Sequence, residues 1–234
     1  MSADADNRTR VPRRSTGSDL ALTLRHNAPL VFVILFFIAF WAFYNANHPR
    51  GFSAAVLIQN SNEVFTLAMV AMAQTVPVLM GGLDLSVGAI MTLVNCVASL
   101  LLDGSPLQIV AGMLLSLGVG AACGFLNGCV VVYGRIQPII ATLATGAIFL
   151  GLALFLRPTP GGDVNGDLSW AFTNDLYEVA YTLGIFEEGE AAWFQPIAWI
   201  PVPLLLIIAV ALFVWVPFAR SVTGRTVYAV GSGE

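Results

Sequence analysis

The chain has 234 residues, of which 57% are hydrophobic and 10% are charged, and its formal net charge is −4. Its mean hydropathy is +0.81. Soluble domains carry about 25% charged residues, so this composition excludes a water-soluble globular protein, which would lack the polar surface to cover its core. Because helices satisfy their own backbone hydrogen bonds in lipid, we predict an all-α, polytopic bundle of transmembrane helices.

An Arg-rich, polar segment at residues 1–27 comes first and is predicted to be a cytoplasmic tail. A transmembrane helix needs about 20 predominantly apolar residues. Six segments approach that length. They are residues 28–44, 64–80, 85–102, 107–133, 138–156 and 196–218.

The distribution of basic residues predicts the orientation in the membrane. All ten are arginines. With the N-terminus in the cytoplasm, only Arg50 and Arg157 fall outside, as the positive-inside rule requires. The cytoplasmic set is then Arg8, Arg10, Arg13, Arg14, Arg25, Arg135, Arg220 and Arg225. Both ends of the chain are therefore predicted to be cytoplasmic.

The longest polar segment, residues 157–195, is acidic and lies outside on this topology, which in a bacterium means the periplasm. Its amphipathic stretch at 176–186 and its aromatic side chains predict a short helix at the membrane surface. Two interpretations stay open. The segment is either a solvated loop with interfacial aromatic anchors or a docking surface for a periplasmic binding protein, whose approach acidic residues would steer.

A polar interruption at residues 81–88, with the sequence GGLDLSVG, separates the second and third apolar segments. Unsatisfied backbone groups in hydrocarbon cost several kcal/mol, and an ionised Asp at mid-depth costs about 2.5–3.5 kcal/mol or more. One interpretation is a tight turn in which Gly81 and Gly82 end one helix and Asp84 or Ser86 caps the next. The other, compatible with the first, is a broken helix that lines a pathway. Pro77 predicts a kink just before it.

Uncharged polar residues within the apolar segments admit two explanations as well. They either form hydrogen bonds between helices or give a translocation pathway the weakly polar lining that suits a sugar, which is recognised by hydrogen bonds. The candidate pathway residues are Gln74, Pro77, Gly81, Gly82, Asp84, Ser86, Asn95 and Asn127.

The fourth apolar segment carries small residues at intervals of four: Ser116, Gly120, Gly124 and Gly128. This spacing predicts a smooth ridge that lets another helix approach closely, and the same face is a candidate for a sliding contact during gating. The three cysteines lie within apolar segments without ligand-like spacing, so they are interpreted as packing residues. No metal site is predicted.

Several other classes of membrane protein fit poorly. An intramembrane aspartyl protease needs a G-x-G-D motif, but Leu83 precedes Asp84 here, and neither His26 nor His48 is placed to serve a rhomboid-type serine protease. No G-x-x-x-x-G-K-[ST] loop occurs, so no ATPase is predicted within this chain. An ion-coupled transporter normally has ionisable residues at mid-membrane depth, and these segments contain almost none.

Four motifs in order resemble those of the permease subunits of bacterial ABC sugar importers of the ribose, xylose, fructose and arabinose type. They are GGLDLSVGA at 81–89, FLNG at 125–128, GRIQPIIATLAT at 134–145 and TGRTVYAVG at 223–231. The resemblance covers about residues 25–234. It implies a permease subunit that forms the translocation pathway for a monosaccharide, without covalent chemistry and without a cofactor.

The resemblance also implies partners and a location. Residues 28–234 would be the N-terminal portion of a permease transmembrane domain that has about ten spans in the family, so a C-terminal truncation is expected. The implied partners are a second permease subunit, a cytoplasmic ABC ATPase, a periplasmic sugar-binding protein and membrane lipid, but no nucleic acid. The implied location is the bacterial inner membrane. The alternatives are a non-transporting membrane fragment and a permease of this family for another small polar solute.

Overall fold

A computed structural model describes residues 27–185 and 195–231. The chain divides into two compact units, residues Met1–Ser53 and Ala54–Glu234. The first unit contains helix α1, Ala28–Asn47, which is apolar around its whole circumference. Among its polar residues, Asn45 bonds within the helix, since its side-chain amide nitrogen donates to the Trp41 carbonyl oxygen at 2.8 Å. A helix without a polar face is typical of a membrane span.

The second unit is helical as well. Its elements are α2 (Ala54–Leu79), α3 (Val87–Leu101), α4 (Pro106–Gly134), α5 (Pro138–Leu156), α6 (Gly166–Thr173), α7 (Leu176–Thr182), a 3-10 turn (Gln195–Trp199), α8 (Val202–Val210), a π segment (Ala211–Trp215), α9 (Val216–Arg220) and α10 (Val222–Gly231). Within residues 27–185 and 195–231, β pairing is limited to an isolated bridge between Asp175 and Pro201. The predicted all-α membrane bundle is confirmed.

In the part of the chain that the structure describes, five helices are long and apolar enough to cross a membrane. They are Ala28–Asn47, Ala54–Leu79, Pro106–Gly134, Pro138–Leu156 and Val202–Arg220. The sixth apolar helix, α3, has 15 residues, or about 22 Å of helical rise, which is less than the roughly 30 Å of hydrocarbon. The predicted third segment began at residue 85, but residues 80–86 form an irregular loop, so α3 starts later.

Two other helix starts differ from the predicted ones by more than five residues. Helix α2 begins at Ala54, ten residues before the predicted start at residue 64. The polar residues there lowered the local hydropathy without ending the helix. The last long helix begins at Val202 rather than at 196, because the 3-10 turn Gln195–Trp199 and Pro201 precede it.

The core of the second unit forms where α3 packs against α4 and α5. Leu93, Cys123, Phe149 and Ala153 are buried together there. Gly112 allows α4 to approach α3, since a Cβ on it would lie 2.8 Å from the Leu101 carbonyl oxygen. Phe149 and Ala153 place α5 on the same cluster, so the short helix α3 is enclosed between two longer ones.

We expect Gly112→Leu to destabilise the bundle, because its Cβ would meet backbone rather than a movable side chain. The free energy of unfolding should fall by about 2 kcal/mol or more. Gly124→Leu is the matched control on the same helix, since a Cβ on Gly124 meets nothing within 4 Å. Thermal unfolding of both variants in detergent tests this, and equal melting temperatures would contradict the close approach of α3 and α4.

Contacts among loops and helix ends show which helix ends lie on the same side of the second unit. At one end, the backbone N–H of Asn165 donates to the Leu102 carbonyl oxygen at 2.7 Å, and the Asn62 side chain donates to the Thr173 carbonyl oxygen at 2.9 Å. At the other end, the side chain of Pro138 lies against Gly82, and Gly231 lies against Leu79. The 81–86 loop, the turn before α5 and helix α10 therefore share one end, and residues 157–185 and 195–201 lie at the opposite end.

Candidate translocation groove

The loop after α2 is shaped by Pro77 and two glycines. The Pro77 carbonyl oxygen accepts from the backbone N–H groups of Met80 at 3.0 Å and of Gly82 at 2.9 Å, which ends the helix. Gly81 has a φ of 75°, which favours glycine. A Cβ on Gly82 would lie 3.2 Å from the ring of Pro138. The turn thus favours glycine at both positions, and α2 ends just before them, as the tight-turn interpretation predicted. Ser86 takes the N-cap position of α3, but its side chain makes no capping hydrogen bond.

Gln74 pairs with the main chain of Asp84. With its amide in the orientation that hydrogen bonding selects, the amide nitrogen donates to the Asp84 carbonyl oxygen at 3.2 Å and the amide oxygen accepts from the Asp84 N–H at 3.1 Å. Both polar groups of this irregular backbone are satisfied by one side chain from α2. This arrangement removes the cost of placing an open loop against the helices.

The carboxylate of Asp84 is bound to Ser86. One oxygen, Oδ1, accepts from the Ser86 backbone N–H at 2.8 Å and from its hydroxyl at 2.6 Å. The Ser86 hydroxyl in turn accepts from the side-chain amide of Asn127 at 2.6 Å. Ser86 is fully buried and Asn127 is nearly so. We call Asp84, Ser86 and Asn127 the polar relay; it links the loop to the middle of the bundle.

Two residues of α5 complete the support of the loop, although sequence reasoning did not select them as site residues. The hydroxyl of Thr142 accepts from the Leu85 N–H at 3.0 Å and donates to the Pro138 carbonyl oxygen at 2.8 Å. Gly146 leaves room for Ser86, since a Cβ there would lie 3.4 Å from the Ser86 Cα. Thr142 lies within the motif at 134–145, but a single threonine in an apolar helix is a weak signal for a site residue, and Gly146 lies outside the motifs.

An open groove of about 900 Å³ runs between α2 and α3. Most of its lining is apolar, and four lining residues carry polar side chains: Thr66, Asp84, Thr92 and Asn95. Because α2 and α3 run along the groove, these residues are spread along its length, with Asp84 at the loop end. Asp84 is the ionisable residue among those that line it.

The eight candidate pathway residues therefore divide into two that line the groove and six that support the 81–86 loop. Asp84 and Asn95 line the groove. Gln74, Ser86 and Asn127 hydrogen-bond the loop, and the remaining three shape its backbone. Those three are Pro77, Gly81 and Gly82. The structure brings most of the candidates together around one loop rather than along one surface.

The predicted ridge on α4 also separates into two parts. Ser116 is buried, and a Cβ on Gly120 would lie 3.5 Å from the Val94 side chain. A Cβ on Gly124 or Gly128 would meet nothing within 4 Å in the described part of the chain. The buried face of α4 is instead formed by Gly112, Ser116, Cys123 and Asn127. Packing of Gly124 and Gly128 against another helix stays a prediction.

Helix α10 holds the last sequence motif against the end of α2. The hydroxyl of Ser221 accepts from the Gly224 N–H at 3.0 Å, which caps the helix. A Cβ on Gly224 would overlap the Phe218 carbonyl oxygen, and one on Gly231 would overlap the Leu79 carbonyl oxygen. Both glycines of this motif are therefore required by close backbone contacts.

Residues 56–234 match the family model described as the branched-chain amino acid transport system / permease component. The chain belongs to this permease family. It is 31% identical over 179 residues to the D-allose transport system permease protein AlsC of Escherichia coli K12, which covers 76% of this chain and 48% of that protein. It is 28% identical over 188 residues to the autoinducer 2 import system permease protein LsrD of Salmonella typhimurium LT2, which covers 79% of this chain and 51% of that protein.

The chain spans about half the length of these curated relatives. No solved structure matches it. The predicted resemblance to permeases of ABC sugar importers is confirmed by the family and by the names of these relatives. The family and the apolar helices together support a multi-pass inner-membrane protein. Among the described residues, no group of three His, Cys, Asp or Glu side chains is placed to hold a metal ion.

Proposed function

We propose that this chain contributes the groove between α2 and α3 to the translocation pathway of an ABC importer for a monosaccharide. In this proposal, residues 28–234 form part of a permease transmembrane domain that pairs with a second permease subunit. A periplasmic binding protein delivers the sugar, a cytoplasmic ATPase drives the change between outward-open and inward-open states, and this subunit performs no covalent chemistry.

The observation that carries the proposal is the position of polar groups along a groove beside a short helix. Helix α3 is too short to suit a lipid-facing span, and Thr92 and Asn95 on it are exposed to the groove. An exposed amide in hydrocarbon would be costly, whereas a hydrated pathway gives it hydrogen-bond partners. A wall that is mostly apolar and carries a small number of polar groups lets a sugar pass without binding it tightly.

Uptake of labelled monosaccharides by the source organism tests this proposal. Deleting the gene should abolish uptake of at least one neutral monosaccharide, and restoring it should recover the rate. The ATPase partner should co-purify with the tagged chain. Unchanged uptake of every monosaccharide tested would contradict the proposal and favour a non-transporting membrane protein.

A second candidate is a permease of this family for another small polar solute. It is favoured by the similarity to relatives named for autoinducer 2 import. The groove lining does not separate the two candidates, because hydroxyls and carbonyls bind the same side chains. Competition between unlabelled solutes and a transported monosaccharide distinguishes them.

We propose an orientation with the 81–86 loop in the cytoplasm. The end of the second unit that carries this loop also carries Arg135, Arg220 and Arg225, whereas the opposite end carries Arg157 and most of the acidic residues. Those acidic residues are Glu63, Asp103, Asp163, Asp167, Asp175 and Glu178. The positive-inside rule then places residues 157–195 in the periplasm and both ends of the chain in the cytoplasm. The predicted tail, residues 1–27, lies outside the described residues except for Asn27.

The periplasmic segment is proposed as the docking surface for the binding protein. Its predicted surface helix is shorter than 176–186, with α7 at Leu176–Thr182. Asp175 is buried and caps α7, since its carboxylate accepts from the Glu178 N–H at 2.8 Å. Asp163, Asp167 and Glu178 are exposed, so they are the acidic groups that could steer a basic partner.

We expect a membrane-impermeant thiol reagent to label Asp167→Cys in intact cells and to leave Arg225→Cys unlabelled. Both positions are exposed on the protein, so a difference in labelling reports the side of the membrane on which each lies. After the cells are permeabilised, both variants should react at similar rates. Labelling of position 225 in intact cells would overturn the orientation, and with it the docking surface. Asp175 is unsuitable for this test because its side chain caps α7.

A further inference from the structure

The polar relay leaves one carboxylate oxygen of Asp84 without a described partner. Oδ1 accepts both hydrogen bonds from Ser86. Gln74 holds the backbone of Asp84, and Asn127 holds the Ser86 hydroxyl. The side chain is thereby fixed in one rotamer while Asp84 lines the groove and remains half-buried.

A fixed carboxylate at the end of this groove has two chemical consequences. Its second oxygen, Oδ2, accepts hydrogen bonds from hydroxyl groups. Its charge repels carboxylates and phosphates, and the apolar lining makes this repulsion stronger than in water. No arginine or histidine is among the groove-lining residues of the described chain, so nothing in the lining neutralises the charge.

We propose that Asp84 is a specificity-determining residue that favours neutral, hydroxyl-rich solutes over their anionic counterparts, with Asn127 and Gln74 as positioning residues. The inference rests on the proposed function, since it assigns a role within the same groove. The selected class is neutral aldoses and related polyols. The disfavoured class is aldonates and sugar phosphates of the same size. The relay keeps the carboxylate from turning away from the groove.

The test measures the electrostatic potential at one position in the groove. A cysteine replaces Met91, which lines the groove one turn into α3, in the purified chain in nanodiscs. Two thiol reagents of equal size, one with an ammonium and one with a sulfonate group, react with it. The parent chain, which retains its own cysteines, gives the background rate. The ratio of the ammonium rate to the sulfonate rate should fall by about threefold or more on Asp84→Asn. Asp103→Asn, an equal charge removal at the opposite end, should leave the ratio unchanged.

Asn127→Ala tests the positioning role separately. It leaves every charge in place but frees the Ser86 hydroxyl, so the rate ratio should lie between those of the parent and of Asp84→Asn. A residue with a purely structural role would lower the melting temperature without moving the ratio. Asp84→Glu, which keeps the charge, should retain a ratio above that of Asp84→Asn.

Protection by solutes tests the specificity itself. D-ribose should slow the labelling of position 91 more than D-ribonate does, and Asp84→Asn should remove that difference. An unchanged rate ratio in Asp84→Asn, or equal protection by the two solutes in the parent, would overturn the inference. These outcomes are distinct from failure of the proposed function, which shows as unchanged uptake in cells lacking the gene.

Discussion

Replacing Ser86 with leucine should unfold the loop end of the bundle, and replacing it with alanine should weaken that end by a smaller amount. Ser86 has no exposed surface and bonds to both Asp84 and Asn127. Alanine removes the hydroxyl and leaves the Asn127 amide without its partner, a loss of about 1–3 kcal/mol in the free energy of unfolding. Leucine adds overpacking of about 1–3 kcal/mol, because its larger side chain would have to fit a site with no exposed surface beside Gly146 of α5.

Thermal unfolding in detergent, together with the amount of protein in the membrane, measures both losses. Thr92→Leu is the matched control, since it places leucine at an exposed position of α3, the helix that follows Ser86. The expected order of melting temperatures is parent and Thr92→Leu together, then Ser86→Ala, then Ser86→Leu. If Ser86→Leu melts with the parent, the relay does not stabilise the fold.

The long apolar segments were enough to predict the class of fold, because about 20 apolar residues suit a helix, which crosses the hydrocarbon and satisfies its own backbone hydrogen bonds there. Helix ends were harder. Residues 85–102 read as one apolar segment, yet Ser86 is bound to Asp84 and the helix starts at Val87. Hydropathy measures the preference of a residue for lipid over water, whereas the start of a helix depends on the hydrogen bonds that neighbouring residues offer.

The predicted ridge on α4 turns away from α3 in its second half, because each step of four residues rotates the position slightly around the helix axis. Steps of four residues on a helix with 3.6 residues per turn rotate by about 40° each. Ser116 and Gly120 therefore share a face, but Gly124 and Gly128 have turned away from α3. The face that is buried advances by four and by seven residues, from Gly112 and Ser116 to Cys123 and Asn127. A correction for this rotation would have selected Cys123 and Asn127 instead of Gly124 and Gly128.

The role of each polar residue could not be predicted from the sequence. Asn95 and Asn127 are both asparagines in apolar helices, but Asn95 lines the groove and Asn127 is buried against Ser86. What separates them is which neighbouring helix covers each face, and this depends on the packing of α3 between α4 and α5. The motif at 81–89 coincides with the loop at the end of the groove, because its residues are hydrogen-bonded to one another. Its part in a pathway stays a prediction.

Gly224→Val should displace helix α10, because any Cβ at this position overlaps the carbonyl oxygen of Phe218. That oxygen also accepts from the Ser221 N–H at 3.0 Å, so it cannot move without breaking the corner before α10. The free energy that holds α10 in place should fall by about 2 kcal/mol or more. Trypsin cleavage at Arg225, which is exposed but held in a helix, should then be at least about tenfold faster if the cleaved form is the opened one.

Thr226→Val is the matched control for Gly224→Val, since it places the same β-branched residue on the exposed face of α10. Its cleavage rate should stay within about twofold of the parent, since surface substitutions cost about 0.5 kcal/mol or less. In the proposed importer this helix lies on the cytoplasmic side and contacts the end of α2 that leads into the Asp84 loop, through Gly231 and Leu79. Displacing α10 should therefore lower uptake at a normal level of membrane protein. Equal cleavage rates for the two variants would show that Gly224 does not hold α10 against the corner.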